Sequence, residues 1–194
     1  MDGAPFFVCE NCSFVFLDPK KKLTLEQEKL RYDIHENNDT PGYRNFLLRL
    51  VDFTLPHLTP EMKGLDYGCG PVKLLEQIFR EKNISLSSYD PYFHPEKALL
   101  AAQYDFITCS EVVEHFFSPP EEFARIFSLL KPGGYLAIMT SFLPEDKSLF
   151  DQWYYHRDPT HVSFYSPAAL EYLAQINKAR VWWKKPSLAI FQKQ

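Results

Sequence analysis

The sequence predicts an α/β protein with an open, mostly parallel, doubly wound sheet. From residue 64 onward, short apolar segments typical of strands alternate with segments of helical periodicity. Gly68, Asp90 and Ser110 each follow one of the predicted strands. Because ligands of such sheets bind beyond the carboxyl ends of the strands, these three positions predict a binding site at one edge of the sheet.

Composition and charge restrict the kind of partner. Hydrophobic residues make up 45% of the 194 residues and charged residues 24%, and the formal net charge is -4 with no long basic run. These values are typical of a globular domain and argue against binding to a phosphate backbone. No apolar run approaches the roughly 18 residues of a membrane span, and Met1-Asp2-Gly3 lacks the basic start of a secretory signal. We expect a cytoplasmic protein with no nucleic-acid or membrane partner.

Residues 1–23 are predicted to form an N-terminal extension. Cys9 and Cys12 have the spacing of half a four-ligand zinc site. No second pair follows, so we expect a small hairpin with no bound metal rather than a complete zinc knuckle.

Residues 24–63 are predicted to form two helices that cover the sheet. The capping box Thr24-Leu25-Glu26-Gln27 begins the first helix, which should end near Asn37-Asn38, and Asp39-Thr40-Pro41-Gly42 begins the second. Polar and aromatic residues of this region either form a solvated turn or close over a ligand. They are Tyr32, His35, Asn37, Tyr43 and Arg44.

Residues 64–194 are predicted to form the main domain. A helix should follow Pro71, a second should begin at a capping box around Ser118, and a third should run from Ser166-Pro167 to about Ile176. The predicted strands end at Tyr67, Tyr89, Cys109, Thr140, Trp183 and Gln192. Lys131-Pro132-Gly133-Gly134 should end the second helix and form a turn.

The long segment from Phe142 to Tyr165 is predicted to carry function, because compact domains seldom keep loops of this length without one. Its aromatic residues either form a lid over a ligand or pack the loop onto the sheet, and we expect a lid. They are Trp153, Tyr154, Tyr155, Phe164 and Tyr165.

The turn Gly68-Cys69-Gly70 fits two cofactor classes. A strand, a glycine turn, a helix and an acid about 20 residues later suit both nicotinamide dinucleotides and S-adenosylmethionine. The dinucleotide pattern requires a third glycine where this chain has Lys73. Asp66, just before the turn, suits a ligand with an ammonium group, so these residues favour S-adenosylmethionine.

Four motifs are considered together: Asp66-x-Gly68-x-Gly70, Asp90 after the second strand, Tyr104-Asp105-Phe106-Ile107 with Glu111-Val112-Val113-Glu114-His115, and Leu130-Lys131-Pro132-Gly133-Gly134. Their combination resembles class I S-adenosylmethionine-dependent methyltransferases, and more closely the small bacterial type-23 methyltransferase domain group. The resemblance implies a Rossmann-like sheet and S-adenosyl-L-methionine as cofactor. The short segment between Asp90 and Tyr104 predicts that one sheet edge is trimmed.

The resemblance also implies the roles of individual residues. Gly68 to Gly70 would hold the methionine moiety, with Asp66 near its amine, and Asp90 would accept hydrogen bonds from the ribose hydroxyls. The implied cofactor residues are Asp66, Gly68, Cys69, Gly70, Asp90, Pro91, Cys109, Ser110 and Glu111.

Methyl transfer is an in-line displacement that depends mainly on positioning, and a base is needed only if the acceptor must lose a proton. The candidate bases are His161, His156 and His115. We expect His161 to be that base, with Asp158 orienting it; the other reading is that His161 pins its own turn by a hydrogen bond. Nucleic-acid amino-methyltransferases would carry an Asn/Asp-Pro-Pro-Tyr-like motif after the fourth strand, where this chain has Cys109-Ser110-Glu111-Val112. With the acidic balance, this favours a small-molecule acceptor over a nucleic acid. The predicted substrate pocket comprises Tyr32, His35, Tyr43, Glu114, His115, Trp153, Tyr154 and His156.

Two other functions stay open at this point. The chain could bind the cofactor as a non-catalytic scaffold protein, or, despite Lys73 at the position of the third glycine, act as a nicotinamide-dependent oxidoreductase.

Overall fold

The computed structural model describes residues 6–33 and 39–194. The strands are β1 Phe6–Val8, β2 Val15–Leu17, β3 Lys63–Tyr67, β4 Ser85–Tyr89, β5 Tyr104–Ser110, β6 Leu130–Met139, β7 Ser163–Phe164, β8 Ala179–Lys184 and β9 Leu188–Lys193. The α-helices are α1 Leu25–Asp33, α2 Pro41–Thr54, α3 Leu74–Glu81, α4 Pro119–Leu129 and α5 Pro167–Ile176. Within the described ranges, no helix is long and apolar enough to cross a membrane.

A six-stranded sheet forms the centre of the molecule. Its strand order is β4-β3-β5-β6-β9-β8, with parallel pairing from β4 to β6 and antiparallel pairing of β9 with both β6 and β8. This arrangement confirms the predicted mostly parallel sheet. It brings the carboxyl ends of β3, β4, β5 and β6 to one edge.

Helices cover both faces of the sheet because successive strand residues point to opposite sides. Phe106 packs with α2 and α3, whereas its neighbour Ile107 packs with α4 and α5. Both side chains are fully buried. The two apolar cores hold the strand ends in a fixed relation to the helices.

Strand β4 forms one edge of the sheet, in agreement with the predicted trimming. The segment that follows contains a 3-10 helix, Lys97–Ala101, and leads directly into β5. The Tyr104 hydroxyl donates to the Leu99 carbonyl oxygen at 2.8 Å and fixes this short connection.

The N-terminal hairpin joins the main body. β1 and β2 pair antiparallel, as predicted, and β2 also pairs with β7 from the long loop. Val15 packs with Tyr155 and Phe164. The division at residues 23 and 63 stays a prediction, but these contacts tie the hairpin to residues of the predicted main domain.

The capping predictions had different outcomes. At the start of α1, the Thr24 N–H donates to Gln27 Oε1 at 3.0 Å, and the Gln27 N–H donates to Thr24 Oγ1 at 3.3 Å, which confirms that capping box. At the start of α4, the Ser118 side chain makes no capping bond; its carbonyl oxygen instead accepts from the Glu121 and Glu122 N–H groups. His35 and Asn37 lie outside the described residues.

Two further expectations need correction. β6 begins at Leu130, directly after α4, so the segment Lys131-Pro132-Gly133-Gly134 lies inside the strand's bounds at an irregularity in its pairing with β5. The long loop is also more ordered than expected, since it contains the 3-10 helices Lys147–Gln152 and Tyr154–Arg157 and the strand β7.

Candidate active site

A cleft of about 800 Å³ opens at the carboxyl ends of β3, β4 and β5. Its walls come from α1, α2, the glycine turn and the long loop. Eight of the predicted cofactor residues line it: Asp66, Gly68, Cys69, Gly70, Asp90, Pro91, Ser110 and Glu111.

The glycine turn lies at the floor of the cleft. Gly68 and Gly70 have φ values of +84° and +65°, which favour glycine. A Cβ on Gly68 would lie only 2.6 Å from Val112 Cγ2, so this position also lacks space for a side chain. The Gly68 and Cys69 N–H groups donate to the Tyr89 carbonyl oxygen at 2.8 and 3.1 Å. An ammonium group only donates hydrogen bonds, so the carbonyl oxygens of the turn are the groups that can bind it.

Asp66 places a carboxyl group beneath this turn. Its side chain is buried, and Thr108 Oγ1 donates to Asp66 Oδ1 at 2.9 Å. Burial raises the pKa of Asp66 to about 7, despite the opposing effect of the Thr108 hydrogen bond. A cation bound here would favour the ionised carboxylate.

Asp90 connects the end of β4 to the glycine turn. Its Oδ2 accepts from the Gly70 N–H at 3.0 Å, and its Oδ1 accepts from the N–H groups of Tyr92 and Phe93 at 2.8 and 3.0 Å. A carboxylate offers about four lone-pair sites, so Oδ2 keeps capacity for a further donor. Its predicted contact with ribose hydroxyls stays a prediction, with Oδ2 as the available atom.

Cys109 does not contribute its side chain to the cleft, contrary to expectation. It is fully buried in the core against α4 and α5, and burial raises the pKa of its thiol well above the ordinary value. Strand alternation explains the correction, because adjacent residues of β5 face opposite sides of the sheet. Ser110 and Glu111 do line the cleft.

Some of the predicted substrate residues line the cleft and others do not. Tyr32, Tyr43, Tyr154 and His115 line the cleft, as do the predicted catalytic pair Asp158 and His161. Glu114 is fully buried behind the cleft wall. Arg44 is not among the residues that line the cleft and forms ion pairs with Glu81 and Asp39.

Trp153 and His156 lie outside the cleft, which corrects their assignment to the substrate pocket. The His156 ring packs 4.7 Å from that of Phe150 and 5.9 Å from that of Phe6, and its Nδ1 lies 2.7 Å from the Trp153 carbonyl oxygen. The Trp153 ring packs 5.4 Å from that of Phe164. The apolar cluster under the loop thus takes up these rings.

Most of the loop aromatics pack rather than form a lid. Tyr155, Phe164 and Tyr165 are buried, whereas Tyr154 is 70% exposed and borders the cleft. The expected aromatic lid is therefore reduced to Tyr154 among these residues.

Tyr155 connects two carboxyl groups next to the cleft. Its hydroxyl donates to Glu114 Oε1 at 2.5 Å and lies 3.1 Å from Glu111 Oε2, while Thr140 Oγ1 donates to Glu114 Oε2 at 2.9 Å. Burial and the nearby Glu114 charge raise the pKa of Glu111 to about 8. Glu111 also has a φ of +53°, a strained conformation for a residue with a side chain.

His161 and His115 form the cleft wall in front of Glu114. Their ring centroids are 4.9 Å apart. His161 Nδ1 lies 2.7 Å from the Tyr155 carbonyl oxygen, and His115 Nδ1 lies 2.9 Å from the Thr160 carbonyl oxygen. Since a carbonyl oxygen only accepts, each Nδ1 carries a proton, and in the neutral ring the lone pair is then on Nε2. Burial lowers the pKa of His161.

Asp158 does not hold the His161 ring through a side-chain hydrogen bond. Its Oδ1 accepts from the Thr160 N–H and hydroxyl at 3.0 and 2.7 Å, and its Oδ2 accepts from Arg31 at 3.1 Å. These hydrogen bonds outweigh the effect of burial and lower the pKa of Asp158. Asp158 thus orders the turn and joins α1 to the loop, while Tyr155 orients the His161 ring.

Sequence reasoning missed several cleft residues on elements far apart in the chain: Glu28, Arg31, Tyr67, Tyr92, Glu122, Arg125 and Arg157. Glu28 accepts from Tyr32 at 2.8 Å and from Tyr92 at 3.0 Å, and so joins α1 to the segment after β4. The i, i+4 spacing of Glu28 and Tyr32 indicates that their side chains meet on one face of a helix. No local pattern in the sequence indicates the contact between Glu28 and Tyr92.

Solved structures with the same fold define the class. A Burkholderia thailandensis 1,6-didemethyltoxoflavin-N1-methyltransferase, solved with 1,6-didemethyltoxoflavin and S-adenosylhomocysteine, has a TM-score of 0.64 at 15% identity, covering 99% of this chain and 100% of that one. An Archaeoglobus fulgidus S-adenosylmethionine-dependent methyltransferase has a TM-score of 0.61 at 16% identity, covering 78% of this chain and 94% of that one. The protein has the fold of the class I S-adenosylmethionine-dependent methyltransferases.

The family follows from the sequence itself. The model of the type-23 methyltransferase domain matches residues 41–178. The chain belongs to this methyltransferase domain family, which confirms the resemblance read from its motifs and supports S-adenosylmethionine as its cofactor.

A curated relative matches over a shorter segment. The Escherichia coli O127:H6 ubiquinone biosynthesis O-methyltransferase is 32% identical over 71 residues. This segment is 37% of the present chain and 30% of the relative, so the chain spans less than a third of the length of that protein.

Proposed function

We propose that the protein transfers a methyl group from S-adenosylmethionine to an oxygen or nitrogen atom of a small-molecule acceptor. The observation that carries this proposal is the cleft, in which the buried carboxyl group of Asp66, the glycine turn and Asp90 lie together at the strand ends of a methyltransferase domain. Bound S-adenosylmethionine would supply an electrophilic methyl group on a sulfonium.

The donor atoms of the cleft floor fit this cofactor. The carboxyl group of Asp66 and the carbonyl oxygens of the glycine turn suit an ammonium group, and Asp90 Oδ2 suits a hydroxyl donor. The Gly68 position admits no side chain, so the backbone can approach a ligand closely.

The walls of the cleft support a small acceptor. A volume of about 800 Å³ falls in the range of pockets for small ligands. The described lining residues include more carboxyl groups than cationic side chains, which disfavours a nucleic-acid backbone. Tyr32, Tyr43 and Tyr154 line the cleft and provide apolar ring surfaces with polar tips. The cytoplasmic location belongs to the same proposal.

If the acceptor must lose a proton, His161 would accept it. Its Nδ1–H is held by the Tyr155 carbonyl oxygen, so its Nε2 carries the lone pair. We retain His161 as the candidate proton acceptor and replace Asp158 by Tyr155 as the group that orients it.

The acceptor class is tested by fractionating a cell extract by size. Each fraction is incubated with the full-length protein and S-adenosylmethionine, and S-adenosylhomocysteine formation is measured. We expect turnover with the low-molecular-mass fraction alone. Turnover only with the protein or nucleic-acid fractions would refute a small-molecule acceptor, and cofactor binding with no turnover in any fraction would favour a scaffold.

A further inference from the structure

Two histidines and a glutamate meet at the acceptor end of the cleft. Glu114, His115 and His161 each offer a ligand atom within 4.8 Å of the other two. His115 and His161 line the cleft, and Glu114 lies behind them, fully buried. We propose that these three side chains form a binding site for a divalent metal ion such as Zn²⁺, which would also bind the acceptor.

The Nδ1 atoms of both rings make the contacts that metal-binding histidines usually make. A histidine that binds a metal usually donates its other ring N–H to a carbonyl or carboxylate oxygen, which fixes both tautomer and orientation. Here the Nδ1 atoms of His161 and His115 lie 2.7 and 2.9 Å from the carbonyl oxygens of Tyr155 and Thr160. Both lone pairs are therefore on Nε2.

The carboxylate is supported in the same way. Glu114 accepts one hydrogen bond on each oxygen, from Tyr155 at 2.5 Å and from Thr140 at 2.9 Å. Each oxygen keeps a second lone pair that can bind a metal. A buried carboxylate needs a compensating charge, which a divalent cation supplies.

The donor set indicates the class of metal. Two imidazoles and one carboxylate suit Zn²⁺ and similar ions, and a three-ligand site of this composition keeps a position open for a further ligand. Ligand atoms of a tetrahedral zinc site lie roughly 3.4 Å apart. Separations of at most 4.8 Å would therefore shorten by at most about 1.4 Å on binding. The open position would face the cleft, because both histidines line it.

The role of the ion in methyl transfer rests on the proposed function, whereas the binding of the ion does not. A bound ion would make His161 a ligand and would itself hold the acceptor oxygen or nitrogen, favouring loss of the acceptor proton to solvent. Removal of the metal then separates the two roles: a chelator should stop turnover if His161 is a ligand and leave it unchanged if His161 is a lone base.

The binding test uses full-length protein stripped of metal with a chelator and titrated with ZnCl₂ in a calorimeter. Cys9→Ser and Cys12→Ser are introduced first, because that cysteine pair is the other candidate zinc ligand. We expect one ion per chain, and at least tenfold weaker binding after His161→Ala or Glu114→Gln. His156→Ala removes an imidazole of the same loop outside the cluster and should leave affinity unchanged.

The outcomes separate this proposal from the proposed function. Lack of Zn²⁺ binding by the protein carrying Cys9→Ser and Cys12→Ser, or unchanged affinity in folded His161→Ala and Glu114→Gln variants, would overturn the metal site. Thermal melts report whether each variant folds, and His161→Ala decides alone if Glu114→Gln does not fold. S-adenosylmethionine binding is measured separately in the same protein, so its failure with Zn²⁺ still bound would count against the proposed function and not against the metal site.

Discussion

Asp66 has a carboxyl group whose ionisation depends on what lies in the cleft. Its side chain is 3% exposed, and burial raises its pKa to about 7. The folded protein therefore keeps this proton at pH values where the unfolded chain has already lost it. As a result, the free energy of unfolding falls as the pH rises from the ordinary pKa of the group toward 7. A cationic ligand offsets this cost by favouring the ionised form.

We therefore predict that S-adenosylmethionine affinity rises with pH. Between pH 6 and pH 8 the ionised fraction of a group with this pKa rises about tenfold, so the dissociation constant should fall by up to about tenfold. Isothermal titration at several pH values measures this change. Asp66→Asn should bind more weakly and lose the pH dependence, whereas Asp105→Asn, which breaks an ion pair with Lys131, should retain it. An unchanged pH profile in Asp66→Asn would contradict the assignment.

Gly68 gives a second prediction at this scale. Gly68→Ala should abolish cofactor binding and destabilise the fold, because a Cβ there would meet Val112 at 2.6 Å with φ at +84°. Gly133→Ala is the matched control, since its φ is +78° and its Cβ would meet nothing within 4 Å. The control should lose only about 1 kcal/mol of stability, which is the cost of the backbone strain at positive φ.

Thermal melts and cofactor titrations compare the two glycine variants. Adding Val112→Ala to Gly68→Ala removes the two methyl groups that cause the clash and should recover part of the lost stability. Equal destabilisation by Gly68→Ala and Gly133→Ala would show that the contact with Val112 does not matter.

At the scale of secondary-structure elements, α1 closes one side of the cleft and depends on its first turn. Thr24 and Gln27 cap each other reciprocally there. Further along the helix, Glu28 accepts hydrogen bonds from Tyr32 and Tyr92, and Arg31 contacts Asp158. The position of this cleft wall therefore depends on the order of the helix.

We predict that Thr24→Ala weakens α1 by about 1 kcal/mol, the usual cost of losing a capping side chain. Hydrogen exchange should become faster in the amides of α1 and stay unchanged in the central sheet. Ser118→Ala is the control, because the Ser118 side chain makes no capping bond to α4. Faster exchange in α4 after Ser118→Ala, or none in α1 after Thr24→Ala, would show that these two caps have been assigned wrongly.

For the whole molecule, the sequence was sufficient to predict the sheet and to place Gly68, Asp90 and Ser110 at the edge where the cleft opens. The signals were local: alternating apolar periods marked strands and helices, and Gly68, Asp90 and Ser110 marked strand ends. The absence of Cys109 from the cleft was also readable, since consecutive strand residues cannot all face one site.

The acceptor end was harder to predict because tertiary contacts determine it. Trp153 and His156 pack under the loop with Phe6 and Phe164, and no local pattern distinguishes such packing from a lid. Tyr155 was recognised as an aromatic residue, but its links to Glu111 and Glu114 span 44 and 41 residues. Spacing along the chain carries no signal over such separations.

The central claim is that the cleft binds S-adenosylmethionine, and thermal unfolding of the full-length protein with and without 1 mM ligand tests it most directly. A dissociation constant near 10 μM would stabilise the folded state by about 2.7 kcal/mol at that concentration. NAD is the control ligand, because Lys73 occupies the position of the third glycine of a dinucleotide site. We predict a clear rise in melting temperature with S-adenosylmethionine and with S-adenosylhomocysteine and none with NAD. No rise with either S-adenosylmethionine or S-adenosylhomocysteine would contradict the account.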